Sequence, residues 1–216
     1  MTKRFFSIFL LSLIITLVSQ VTSTIADTKA TTGDQVTTGG RTTTGDRVTT
    51  GGRFILKSHT GKIVTDQDFG GKFMLVYFGY TYCPDICPTS LQTVTLALEK
   101  IADQAKYFQP LFITVDPERD TPRVMAEYVS SFYPGMIGLT GTKAVIDSVT
   151  KKYRVKFAKV VEKNAKDKDN DYMVDHTASV FLMGFDGRYL ARFPYNTTAD
   201  QMAAKLKQFA ARVTNK

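Results

Sequence analysis

The stretch FMLVYFGYTYCPDICP, residues 73–88, is where a fold first becomes readable. Phe73 to Tyr80 strings together aliphatic and aromatic residues with no polar alternation, as a strand buried on both faces requires. The turn that follows holds both cysteines of the chain, Cys83 and Cys87. Beyond it, Thr89 to Ala105 places Leu91, Val94, Thr95, Leu98 and Ile101 on one helical face, and Pro88 marks where the helix begins. Strand, turn and helix in that order form the repeating unit of an α/β sheet, in which ligands gather at the carboxyl ends of strands.

The rest of the chain repeats the pattern. Leu111 to Val115 (LFITV) is a second buried strand. Ser179 to Met183 (SVFLM) and Tyr189 to Phe193 (YLARF) flank Gly184–Arg188, and its Asp186-Gly187 pair makes an antiparallel hairpin. Thr121-Pro122 supplies a cap and a first-turn proline for a helix to Phe132. Thr142–Tyr153 and Thr198–Val213 complete the helices. Residues 54–216 are expected to form one α/β domain, a central mixed sheet with helices on both faces.

A cysteine at a helix N-terminus favours the thiolate. The CxxxC spacing places the two sulfurs one helical turn apart, close enough for a disulfide or for one soft metal ion. Three readings stay open: a structural disulfide, a redox-active dithiol, or a metal site. A five-residue loop constrains little chain entropy, which weakens the first. The third needs another ligand, and the chain has two histidines. His59, beside Gly61, reads as a surface turn residue. His176 lies directly before the SVFLM strand, where thioredoxin-like oxidoreductases usually place a cis-proline against their dithiol. No proline occurs between Pro134 and Pro194. Two thiolates and an imidazole suit copper; a structural zinc site wants a fourth ligand that the sequence does not offer.

The N-terminus reads differently. Lys3 and Arg4 precede a 14-residue apolar block, Phe5 to Val18, then a small-residue stretch to Ala26, the order of a secretory signal. As a helix the block spans roughly 21 Å against a hydrocarbon core of ~30 Å, so residues 1–26 are a cleaved signal, or a membrane anchor if the following polar residues extend it. Either way the bulk of the chain is expected outside the cytoplasm. TTGDQVTTGGRT (31–42) is followed by TTGDRVTTGGRF (43–54). This repeat has too little apolar surface to form a core, so residues 27–53 read as a flexible tether. The formal charge of +8, or +6 without Lys3 and Arg4, is diffuse and matches no nucleic-acid motif.

From about Gly51 onward the chain resembles the Sco/SenC family. The resemblance is carried by Gly79 to Pro88, by Val115 to Pro122 (VDPERDTP) and by Asp175-His176-Thr177. It implies a thioredoxin-like fold and copper, as Cu(I) and Cu(II), held by Cys83, Cys87 and His176, with Cys83 and Cys87 also forming a redox-active disulfide in the oxidised, metal-free form. It implies delivery of copper to the dinuclear site of cytochrome c oxidase. The alternative is a thiol–disulfide oxidoreductase that reduces the cysteines of that site; the non-enzymatic reading is preferred because a dithiol does not need His176. The expected partners are the copper-site subunit of the oxidase, a thiol reductant protein and other copper carriers, with no nucleic acid. The expected location is the bacterial periplasm, free or held to the inner membrane by the leader. Copper transfer needs accessible ligands, so the trio is expected at a surface rim, shielded on one side by Tyr80 and Tyr82. Asp116, Glu118 and Asp120 are expected to orient Arg119 or cap the Pro122 helix. Residues 162–171 (EKNAKDKDND) read as a solvated loop.

Overall fold

The computed structural model describes residues 50–161, 167 and 171–214; the leader, most of the repeat and most of the acidic–basic loop at 162–171 lie outside them. Strand β3 (Phe73–Gly79) is the centre, with all seven residues buried. It pairs in parallel with β4 (Phe108–Thr114), which pairs in parallel with β5 (Ile137–Thr140). On its other side β3 meets β8 (Ser179–Met183) antiparallel, and β8 pairs with β9 (Tyr189–Pro194). Beyond β5 stand β1 (Ile55–Ser58) and β2 (Ile63–Thr65), so the seven-stranded order is β2-β1-β5-β4-β3-β8-β9. This is the mixed sheet that the sequence predicts, enlarged by β1, β2 and β5.

Helices cover both faces. Cys87, Leu91, Val94 and Leu98 recur every three or four residues along α1 (Ile86–Lys100) and are all buried, so Cys87 heads the helix's core stripe. On that face α1 packs beside α4 (Ala199–Thr214), and Phe73 meets Phe209 of α4 edge-on at 5.9 Å. The line Tyr77, Phe112, Tyr128 brings α2 (Pro122–Val129) to the same side. On the opposite face Phe78 and Phe181 pack on Tyr153 of α3 (Lys143–Tyr153). Rings buried this completely are each worth roughly 1.5–3 kcal/mol in removed apolar surface. α1 begins at Ile86, three residues earlier than the apolar spacing suggests, because Cys87 itself belongs to the buried stripe. Among the described residues no helix is long and apolar enough to cross a membrane.

A separate two-stranded ribbon, β6 (Phe157–Val161) and β7 (Tyr172–His176), runs antiparallel with Phe157 opposite His176. The segment before SVFLM is therefore strand up to His176. His59 is structural: its amide donates to the Gly138 carbonyl at 2.8 Å and its Nδ1 accepts from the Gly138 amide at 3.0 Å, tying the turn after β1 to β5. Contacts with the sheet's helices reach back before Phe54, where the Gly51 amide donates to the Lys152 carbonyl at 2.8 Å.

Candidate metal centre

β3 ends at Gly79 because the next residues must turn across the sheet edge, and the turn is held from below. Buried Asp120 accepts hydrogen bonds from the Thr81 amide (3.1 Å), the Thr81 hydroxyl (2.6 Å) and the Thr114 hydroxyl (2.5 Å). Burial raises the Asp120 pKa, and those three donors work against the rise. The expectation that Asp120 caps α2 does not hold; the cap is Thr121, whose hydroxyl accepts from the Val124 amide. Asp116 does orient Arg119, through a 2.5 Å ion pair with Nε. Arg119 Nη1 then donates to the Tyr172 carbonyl at 3.1 Å, while the Tyr172 hydroxyl donates to Asp116 at 2.7 Å. VDPERDTP thus grips the CxxxC turn with one carboxylate and β7, which ends in His176, with the other. Glu118 pairs with Lys159 of β6. None of these acids reaches the cysteine–histidine cluster.

At the top of α1 the Cys83 sulfur occupies the place of a helix cap: the Cys87 amide points at it over 3.4 Å. Behind it, Cys87 Sγ lies 3.3 Å from His176 Nε2. His176 Nδ1 stands 3.4 Å from the Thr177 carbonyl, so a proton on Nδ1 would donate there and free the Nε2 lone pair for a metal. One ligand atom from each of Cys83, Cys87 and His176 lies within 4.8 Å of the others. Three donors spread around one ion with bonds of about 2.0–2.3 Å stand about 3.5–4.0 Å apart, so closing the trio on a metal needs shifts of up to about 1 Å. Two sulfurs and one nitrogen are soft-to-borderline donors, and the residues fit copper.

Both thiols are free and they are unequal. Hydrogen bonding from the Cys87 thiol, supported by His176 and the amides of Asp85 and Cys87, pulls Cys83 down to about 3 against its burial. The same bond, with burial, pushes Cys87 up. Cys83 and His176 line a cavity of about 350 Å³ together with Tyr80, Ile86, Val160 and Met173. Cys87 does not reach it and is fully buried. The expectation of three ligands at a rim is corrected for both cysteines: Cys87 belongs to the core stripe of α1, and Cys83, buried as well, only lines the cavity. Tyr80 is the shielding aromatic, edge-on to the His176 ring at 5.9 Å; Tyr82 is exposed and stacks under the Arg119 guanidinium at 4.8 Å. Sequence reading missed the grip of Asp120 on Thr81. The signal available was an acid buried in a Pro-rich loop at the same sheet edge as the cysteines.

Residues 42–211 match the sequence model of SCO1/SenC. The mitochondrial SCO1 homolog of Homo sapiens is 42% identical over 71% of this chain and 50% of its own length; the chain spans about half the length of the curated relatives it matches. Among solved structures, copper-bound ScoI of Bradyrhizobium japonicum is 44% identical over 74% of this chain and 99% of that one, with a TM-score of 0.67. At 22% identity, and so as a likeness of fold alone, the architecture recurs in BsSco (TM-score 0.59, covering 76% of this chain and 94% of that one), described as a member of the Sco family of cytochrome c oxidase assembly proteins. With its motifs in order around one cysteine–cysteine–histidine cluster, the chain belongs to the SCO1/SenC family.

Proposed function

We propose that this protein is a copper chaperone that binds copper through Cys83, Cys87 and His176 and delivers it to the dinuclear copper site of cytochrome c oxidase during assembly. The observation that carries the reading is the convergence of those three donors within 4.8 Å; a dithiol working only by exchange has no use for the imidazole. The cavity that exposes Cys83 and His176 gives an incoming donor a side from which to approach. The protein takes Cu(I) and Cu(II), acts stoichiometrically and is not an enzyme. Its partners are the copper-site subunit of the oxidase, other copper carriers and a thiol reductant, because an exported dithiol must be kept reduced to bind metal. The leader sends it to the bacterial periplasm, where it either stays on the inner membrane or is released.

A second reading has its own support. A low-pKa sulfur in the wall of a cavity, backed by a deeper thiol, is the asymmetry of a thiol–disulfide oxidoreductase, here one that reduces the oxidase cysteines. Two assays separate the readings. Reduced protein should hold about one equivalent of Cu(I) against a competing chelator. His176→Ala should lose affinity by roughly 100-fold or more, beyond the 10–100-fold that an outer-shell partner costs. Unchanged retention in His176→Ala, together with sustained insulin reduction by wild type, would replace the chaperone with the reductase.

A further inference from the structure

Behind Cys87 two hydroxyls are buried without a partner. Tyr77, 1% exposed, and Ser90, 6% exposed, hold their oxygens out of solvent with no aligned hydrogen bond. Tyr77 stands at the Cys87 sulfur, and Ser90 lies one helical turn further along α1. A Cβ added to Gly79 would meet Cys87 Sγ at 2.7 Å and the Tyr77 ring edge at 2.9 Å, so sulfur and ring flank one point above the strand. Ser90 follows Cys87 by three residues in α1, which makes the two neighbours on one helix face. Burial raises the Tyr77 pKa, the Cys87 sulfur adds to the rise and Ser90 opposes it. An unpaired buried hydroxyl costs about 1–3 kcal/mol, and two beside one sulfur call for a cause.

Charge supplies it. A thiol is a weak acceptor, whereas a thiolate takes strong, charge-assisted hydrogen bonds. Cu(I) with two thiolates and a neutral imidazole carries a net charge of −1, and Cys87 is the ligand buried deepest; with Cu(II) the sum is zero. Resting on the copper reading above, we propose that Tyr77 and Ser90 are positioning residues whose hydroxyls donate to the Cys87 sulfur when it binds Cu(I), offsetting the negative charge of the loaded site. The metal-free protein keeps these donors in place and unsatisfied. The site is thereby tuned to hold Cu(I) more than Cu(II).

The test uses Tyr77→Phe and Ser90→Ala in the reduced exported protein, with Cu(I) partitioned against bicinchoninate. Each variant should lose Cu(I) affinity by roughly tenfold. In the Cu(II)-loaded protein the sulfur-to-copper charge-transfer band should move to longer wavelength, because a sulfur that loses a hydrogen bond gives up electron density more readily. If wild type holds one equivalent and both variants partition alike with an unmoved band, the inference is overturned and the copper reading stands. Weakened Cu(I) binding with an unmoved band marks a packing defect and overturns it equally. Should Tyr77→Phe fail to fold by circular dichroism, Ser90→Ala decides alone. If wild type itself holds no Cu(I), the copper reading falls and this inference with it.

Discussion

A single missing side chain makes room for the site. Gly79 closes β3 where Cys87 Sγ, Phe112 and the Tyr77 ring all press on the Cα, at 2.7, 2.9 and 2.9 Å from where a Cβ would stand. Real Cβ atoms do not tolerate such approaches, and three packed neighbours cannot all give way. Gly79→Ala should therefore displace the Cys87 sulfur, lower stability by about 1–3 kcal/mol as overpacking does, and weaken copper binding; a melting curve and a chelator competition read the two effects. Cys83 makes a different prediction. With its pKa near 3 it is a thiolate throughout the neutral and mildly acidic range, whereas an ordinary thiol near 8.5 loses about tenfold in thiolate per pH unit of acidification. Alkylation of reduced, metal-free protein by iodoacetamide should be nearly flat from pH 5 to 8 and fall on Cys83, with buried Cys87 spared, as peptide mapping will show. Because the folded value is depressed, the stability gained is complete above the unfolded value near 8.5 and is lost as pH falls toward 3.

At the level of elements, the legible parts were those that carry their own signal. β3 and β4 announce themselves by unbroken apolar runs, β8 and β9 by the Asp186-Gly187 turn, and α2 and α3 by Thr121 and Thr142, whose hydroxyls do cap them. β1, β2 and β5 have three or four residues each, too few for periodicity, and exist because a partner strand is present. β6, with four of five residues exposed, is a strand only by pairing with β7. The cysteine–histidine cluster was legible because cysteine and histidine are rare here; the depth of Cys87 was not, since it depends on where α1 begins. The loop joining β4 to α2 was legible as structural, yet its targets needed coordinates. Asp120→Asn replaces an acceptor of three hydrogen bonds by an amide whose NH₂ must face a donor. A loss of about 1–3 kcal/mol is expected from one unsatisfied buried group, together with faster release of Cu(I) as the Thr81 turn loosens. A release rate equal to that of wild type would show that the grip serves folding alone.

Across the whole domain, stability and metal binding are anchored at opposite ends of the sheet. Met183 pairs with Met74 near the start of β3, and a Cβ on Gly51 would overlap the Met183 side chain. Lys152 clasps the same segment, its Nζ donating to the Arg53 carbonyl at 2.6 Å and its own carbonyl accepting from the Gly51 amide. From Met74 to Gly79 the strand advances five residues, roughly 16 Å, so this N-terminal strap lies a full strand length from Cys87. A chain starting at Thr50 should melt with the full-length protein, while one starting at Phe54 forfeits three hydrogen bonds, the Arg53 Nε bond to Asp66 included, each worth about 0.5–1.5 kcal/mol, and the packing of Gly51 on Met183. The second chain should melt several degrees lower. Its Cu(I) affinity should nevertheless match that of the first, because no donor and no support of a donor has been removed. Equal melting would mean that the strap contributes nothing; a parallel fall in affinity would mean that the two ends of the sheet are coupled through β3.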